Sequence, residues 1–259
     1  MRTVSSGIAR DARLAELQRL VQARGALPLP EASRLLGVSG MTIRRDLAPP
    51  GAALACIGAH IVAARAAHAG DGYTLDAERD QHAEDKRRAC RRAAEFVEAG
   101  DSLFIDCGTT MPHFAEALPP GIALDVVCYS LNVATILSRR PNTQLMLLGG
   151  LFNGASATFY CDESLDYLKR LGVDKAFISA GGVHPERGAS CSNFTEVPIK
   201  KAAIAAASSS ILIVDDSKLG RLKPAFFSPL RAFSRIVVGG EPPRSWRARF
   251  KRGALDIAA

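Results

Sequence analysis

From Ser102 to Val238 short apolar runs alternate with segments of helical spacing, and no other feature narrows the possible folds as far. Ser102-Leu103-Phe104-Ile105-Asp106, Val126-Val127-Cys128-Tyr129-Ser130, Gln144-Leu145-Met146-Leu147-Leu148, Lys175-Ala176-Phe177-Ile178-Ser179, Ile211-Leu212-Ile213-Val214 and Arg235-Ile236-Val237-Val238 each have the length of a strand. Between them lie helical patterns containing Phe114 and Leu118, Ile136 and Leu137, Ser164 to Leu171, and Val197 to about Ala207. Strands this continuously apolar need cover on both faces, so the pattern predicts a mostly parallel sheet between layers of helices. A further helix, Ala83 to Glu98, precedes the first strand. Its apolar stripe is Cys90, Ala93, Ala94 and Val97, and Lys86, Arg87, Arg88, Arg91 and Arg92 read as a solvated or interface face.

Open sheets of this kind bind ligands beyond the carboxyl ends of their strands. The residues just after the predicted strands form a consistent set. Asp106, Gly108, Thr109 and Thr110 offer a carboxylate, a close backbone approach, two hydroxyls and amides at a helix start. Ser130 and Asn132 add hydrogen-bonding groups, Gly149 and Gly150 permit unusual backbone, and Asp215, Ser217 and Lys218 follow the penultimate strand, Lys218 bringing a point charge suited to phosphate. Singly, Gly-Thr-Thr is a turn and cap, the glycine pair a loop, and Lys218 a surface cation. Together they predict a pocket for a phosphate beside a hydroxylated body.

The N-terminal part has a different pattern. Leu14, Leu17 and Val21 share a helix face ahead of Gly25, and Pro30 opens a second helix, with Ala32, Leu35 and Leu36 on one side, that Gly37 stops. Ser39 then reads as the N-cap of a third helix in which Ile43 and Leu47 face inward. Met41, Thr42 and Arg45 fall on the opposite side with Arg44 at the flank, and Pro49 and Pro50 close the helix. Leu54 to Ile57 and His60 to Ala63, joined by Gly58-Ala59, have the form of a two-stranded wing. Adjacent arginines and a threonine suit guanine edges, phosphates and thymine methyls, so Ser39, Met41, Thr42, Arg44 and Arg45 are the candidate DNA contacts. A small helical hairpin with a solvated basic face is the plainer reading of the same residues.

The run Val38-Ser39-Gly40-Met41-Thr42-Ile43-Arg44-Arg45-Asp46-Leu47 resembles the Val-Ser-x-x-Thr-Ile-Arg-Arg-Asp-Leu string of the DeoR family of bacterial transcriptional regulators. Two departures stand out: Gly40, where a better helix former is expected, and Gly58-Ala59, where the family wing has a glycine pair. The family's effector domain is matched by Asp106-Cys107-Gly108-Thr109-Thr110, Ser130-Leu131-Asn132, Gly149-Gly150 and Asp215-Asp216-Ser217-Lys218. The stretches Cys128 to Asn132, Ser179 to His184, Gly188 to Asn193 and Glu196 to Lys200 are similar to family members that answer to deoxyribose 5-phosphate. The resemblance implies a winged helix-turn-helix domain followed by an α/β domain resembling ribose 5-phosphate isomerases and CoA transferases. It further implies double-stranded operator DNA and a small sugar phosphate as partners, a homo-oligomer, and no cofactor.

Composition fits this division. Of a formal net charge of +7 over 259 residues, residues 1 to 70 contribute nine arginines against four acids, and the remainder is nearly balanced with 24 basic and 22 acidic residues. The start lacks the apolar core of a signal peptide and no apolar run is long enough for a bilayer, so a cytoplasmic protein without a membrane partner is expected. The six cysteines form no C-x-x-C pair and read as buried thiols. His60, His68, His82, His113 and His184 show no metal-ligand spacing with them, so no metal is expected. The expected boundaries are 9–64 for the DNA reader, 65–81 for an Ala/Gly/Asp-rich linker and 82–259 for the effector domain. The alternative is an isomerase-like enzyme with an appended helical module, in which Asp106, Glu196 or Asp215 serves as acid or base.

Overall fold

The computed structural model describes residues 10–24, 26–49, 52–57, 59–63, 82–243, 246 and 255–258. The expected linker, together with Gly25, Pro50 and Gly58, lies outside the described residues. The chain divides into two compact units, Met1–Gly72 and Tyr73–Ala259.

The first unit holds α1 (Arg10–Arg24), β1 (Ala26–Pro28), α2 (Leu29–Leu36), α3 (Gly40–Leu47), β2 (Leu54–Ile57) and β3 (His60–Ala63). Leu17, Val21, Ala32, Leu36, Ile43, Leu47, Leu54 and Ile61 meet in one core. The wing is an antiparallel pair, and β1 adds a third strand on β3 that the sequence reading lacked. Leu35, expected to face inward, is 50% exposed, because the buried line of α2 runs through Leu29, Ala32 and Leu36 and passes it by. Gly40 also has a reason. A Cβ there would stand 3.3 Å from Leu29 Cδ2, so the glycine lets the start of α3 close onto α2.

In the second unit α4 (Ala83–Ala94), β4 (Ser102–Ile105), α5 (Met111–Ala117), β5 (Leu124–Cys128), α6 (Leu131–Leu137) and β6 (Thr143–Leu147) come first. A hairpin of β7 (Leu151–Asn153) and β8 (Thr158–Tyr160) follows, then α7 (Asp162–Leu168), β9 (Val173–Ser179), β10 (Gly182–His184) and β11 (Gly188–Cys191). The chain continues with α8 (Val197–Ala206), β12 (Ala207–Asp215), β13 (Ala225–Ser228), β14 (Arg235–Gly239) and β15 (Leu255–Ala258). Every neighbouring pair in the seven-stranded sheet β15-β14-β12-β9-β4-β5-β6 is parallel, as the apolar runs predicted. The edge strand β15 and the antiparallel sheet β10-β11-β13 were not foreseen.

Alternate residues of each strand enter different cores. Leu103 and Ile105 join Cys90 of α4, Phe114 of α5 and Leu137 of α6, whereas Phe104 joins Ile199 and Ala203 of α8 and Phe227 of β13. α4 ends four residues earlier than expected, and Lys86 is buried within it rather than solvated. The expected helix from Ser164 to Leu171 instead spans Asp162–Leu168, started by Cys161 as its cap. Among the described residues no helix is long and apolar enough to cross a membrane.

Candidate functional site

In α3 the Ser39 hydroxyl caps the helix by accepting from the Thr42 N–H at 3.1 Å and lies 3.0 Å from the Thr42 hydroxyl. Ile43 and Leu47 are buried, while Met41, at 78% exposure, and Arg44 and Arg45 face outward. Sequence reasoning missed what fixes that orientation. Asp46 is buried and receives two hydrogen bonds from Arg13 of α1, from Nε at 2.9 Å and Nη2 at 2.7 Å, and its carbonyl accepts from Arg10 at 3.0 Å. A charge-assisted pair of this geometry locks the roll of α3 and turns its one acid away from the arginine face.

The second unit has a pocket where the sheet order reverses, between the ends of β4 and β9, the place at which open parallel sheets leave a crevice. Gly108, Thr109 and Thr110 enter from the β4 loop, Ser179 and Gly181 from β9, Ser192, Asn193 and Glu196 from the approach to α8, and Lys200, Lys218 and Lys223 complete the wall. Beneath it lies Asp106, fully buried. Its Oδ1 accepts from the Tyr129 hydroxyl at 2.8 Å, and its Oδ2 from the Ser179 N–H at 2.8 Å and from the Lys200 ammonium. Lys200 also donates to the Ser179 carbonyl at 3.2 Å, stands 3.9 Å from Glu196 and lies over the Phe227 ring. Burial opposes its charge, but Asp106, with the other acidic groups around it, outweighs burial and holds its pKa above the ordinary lysine value. Glu196 moves upward as well, because burial and the charge of Asp106 outweigh Lys200 and the hydrogen bonds from Cys107 and Asn193. The pocket thus joins hydroxyls and backbone amides to lysines over a neutralised carboxylate floor. That chemistry suits an anion attached to a hydroxylated body.

A DeoR-like helix-turn-helix domain matches residues 13–49, and the DeoR C terminal sensor domain matches residues 81–240. The chain belongs to the DeoR family. This DeoR-family chain is similar to the deoxyribose operon repressor of Escherichia coli K12, with 39% identity over 230 residues covering 88% of this chain and 90% of that protein. It is 28% identical over 226 residues to the glycerol-3-phosphate regulon repressor of the same organism, covering 87% and 89% of the two. Among solved structures the likeness is partial: a ribose 5-phosphate isomerase A from Methanocaldococcus jannaschii is 18% identical with a TM-score of 0.40, covering 54% of this chain and 55% of that one.

The pocket of this DeoR-family chain takes in Gly108, Thr109, Thr110 and Lys218 of the residues named from sequence, with Asp106 as its floor. Ser130, Asn132, Gly149 and Gly150 do not line it. They follow β5 and β6, at the edge of the sheet, where the β7–β8 hairpin covers the strand ends. Ser130 bridges to Thr158, the Gly149 carbonyl accepts from the Ser164 hydroxyl at 2.9 Å, and Gly150 abuts Tyr160. Asn132 is exposed on α6. The residues missed are Ser179, Ser192, Asn193, Lys200 and Lys223. All but Lys223 lie in stretches whose family resemblance was noticed, so the resemblance held a signal that the rule of strand ends did not.

Proposed function

We propose that this chain is a DNA-binding transcriptional repressor of a carbohydrate or deoxynucleoside catabolic operon, released by a sugar phosphate, with deoxyribose 5-phosphate the leading effector. The observation that carries the reading is the pairing of an arginine-faced α3 in one unit with a lysine- and hydroxyl-lined pocket in the other. The similarity to a deoxyribose operon repressor supports the choice of effector. In this scheme residues 9–64 read DNA through Met41, Thr42, Arg44 and Arg45, with Ser39 capping their helix, residues 65–81 link, and residues 82–259 sense. Gly108, Thr109, Thr110 and Lys218 hold the phosphate while Asp106 organises the floor. A homo-oligomer presents paired reading heads to operator half-sites. Release requires that the effector favour the DNA-incompetent arrangement.

The test is an electrophoretic shift of the chain's own promoter-region DNA at fixed salt against a panel of sugar phosphates. Deoxyribose 5-phosphate is expected to release the DNA. Arg45→Ala should lose DNA affinity and keep sugar-phosphate binding by calorimetry, and Thr109→Ala with Lys218→Ala should do the reverse. DNA affinity untouched by Arg45→Ala and by every sugar phosphate would overturn the proposal, and turnover of a pentose phosphate would favour the enzyme reading.

A further inference from the structure

Beside the pocket, at the end of β12, a histidine from the start of α4 meets two adjacent aspartates. One ligating atom from each of His82, Asp215 and Asp216 lies within 4.8 Å of the other two. Asp215 is completely buried. Its Oδ1 accepts from the Ser217 N–H at 3.1 Å and from the Ser217 hydroxyl, but its Oδ2, also buried, has no hydrogen-bond partner. A buried carboxylate oxygen without a donor is costly and rare, and it calls for a cation that the described side chains do not bring within hydrogen-bonding reach. Asp216 is held by the Glu241 N–H, which donates to its Oδ2 at 3.0 Å. His82 sits at the exposed mouth of the cluster, and Asp85 Oδ2, 3.8 Å from its Nδ1, adds negative charge behind the ring.

We propose that His82, Asp215 and Asp216 bind one divalent cation of the zinc or manganese class, which ties the start of α4 to the loop that carries Lys218. Two carboxylates and a neutral imidazole balance a dication, and the mixed nitrogen and oxygen donors select against magnesium and calcium. Donors arranged tetrahedrally on one such ion, each about 2.0–2.2 Å from it, stand about 3.3–3.6 Å apart, so the three side chains close in by up to about 1.5 Å to complete the site. Three protein ligands leave positions for water. Lys218 lines the pocket and His82 caps the start of α4, so the ion fastens the pocket wall to that helix.

The full chain, stripped with a chelator, is titrated with zinc chloride and with manganese chloride by calorimetry, with bound metal counted by mass spectrometry. One ion per chain is expected, with a melting temperature that rises with metal concentration. His82→Gln and Asp216→Asn should each weaken binding at least about tenfold with the far-ultraviolet circular dichroism unchanged. These two outlying ligands carry the test, because Asp215→Asn alters a buried group and can disturb folding. The variants also separate this site from zinc held by cysteine thiols. Parent chain that binds neither ion in excess metal, or a His82→Gln, Asp216→Asn double variant that binds as tightly as the parent, overturns the proposal.

Discussion

Glu196 is the residue through which pH acts on the pocket. Burial raises its pKa, the Asp106 charge adds to the rise, and Lys200 opposes both without cancelling them. In the unfolded chain a glutamate loses its proton near 4.5, whereas the folded chain holds on to it longer. The contribution of Glu196 to stability is therefore complete below that value and is lost as pH rises through the raised folded pKa. Glu196→Gln cannot ionise, so its stability relative to the parent should grow across that window and then level off, as read from urea midpoints at successive pH values. A flat difference would mean that Glu196 titrates at its ordinary value. Asp46 teaches a different lesson at the same scale. The sequence marks it as the acid of an arginine-rich helix, but its role depends on Arg13, a partner that helical spacing within α3 cannot supply.

Among the elements, the β7–β8 hairpin depends on one backbone position. Gly150 has φ 132°, and a Cβ there would lie 2.3 Å from the Tyr160 carbonyl oxygen. Gly150→Ala should destabilise the second unit by at least about 2 kcal/mol, measured as a shift in urea midpoint with the slope unchanged. The six long apolar runs were legible as strands because a strand buried on both faces has no polar alternation to disguise it. Their order was not. β6 reads like the others yet is an edge strand, with Met146 and Leu147 each 38% exposed. The same ignorance placed Ser130, Asn132, Gly149 and Gly150 at the pocket, since every strand end looked equivalent until β4 and β9 proved to be the neighbours that diverge. Short β10, β11 and β15, with small or polar residues, sit too close to loop composition to stand out. His82 and the Asp215-Asp216 pair were unreadable as a group for a related reason: only the packing of α4 beside β12 and β14 unites them.

For the whole molecule, charge is divided as function would require. The arginine surplus of residues 1 to 70 predicts DNA affinity that falls steeply with salt as phosphates release their counterions. Replacing Arg45 with alanine should flatten the plot of log affinity against log salt by about one unit if that side chain holds one phosphate. An unchanged slope, read by fluorescence anisotropy over a salt series, would move Arg45 off the DNA backbone. Asp106 has a consequence on the time axis. It gathers Tyr129 after β5, Ser179 on β9 and Lys200 on α8 onto one buried carboxylate, so these parts separate only when much of the unit opens. Thr109 and Asn193 sit on loops above it and are not among the hydrogen-bond partners of that carboxylate. A ligand of the proposed site is then expected to enter and leave at the pace of loop motion, while the floor, on the far slower clock of cooperative opening, keeps the shape that each arriving molecule meets.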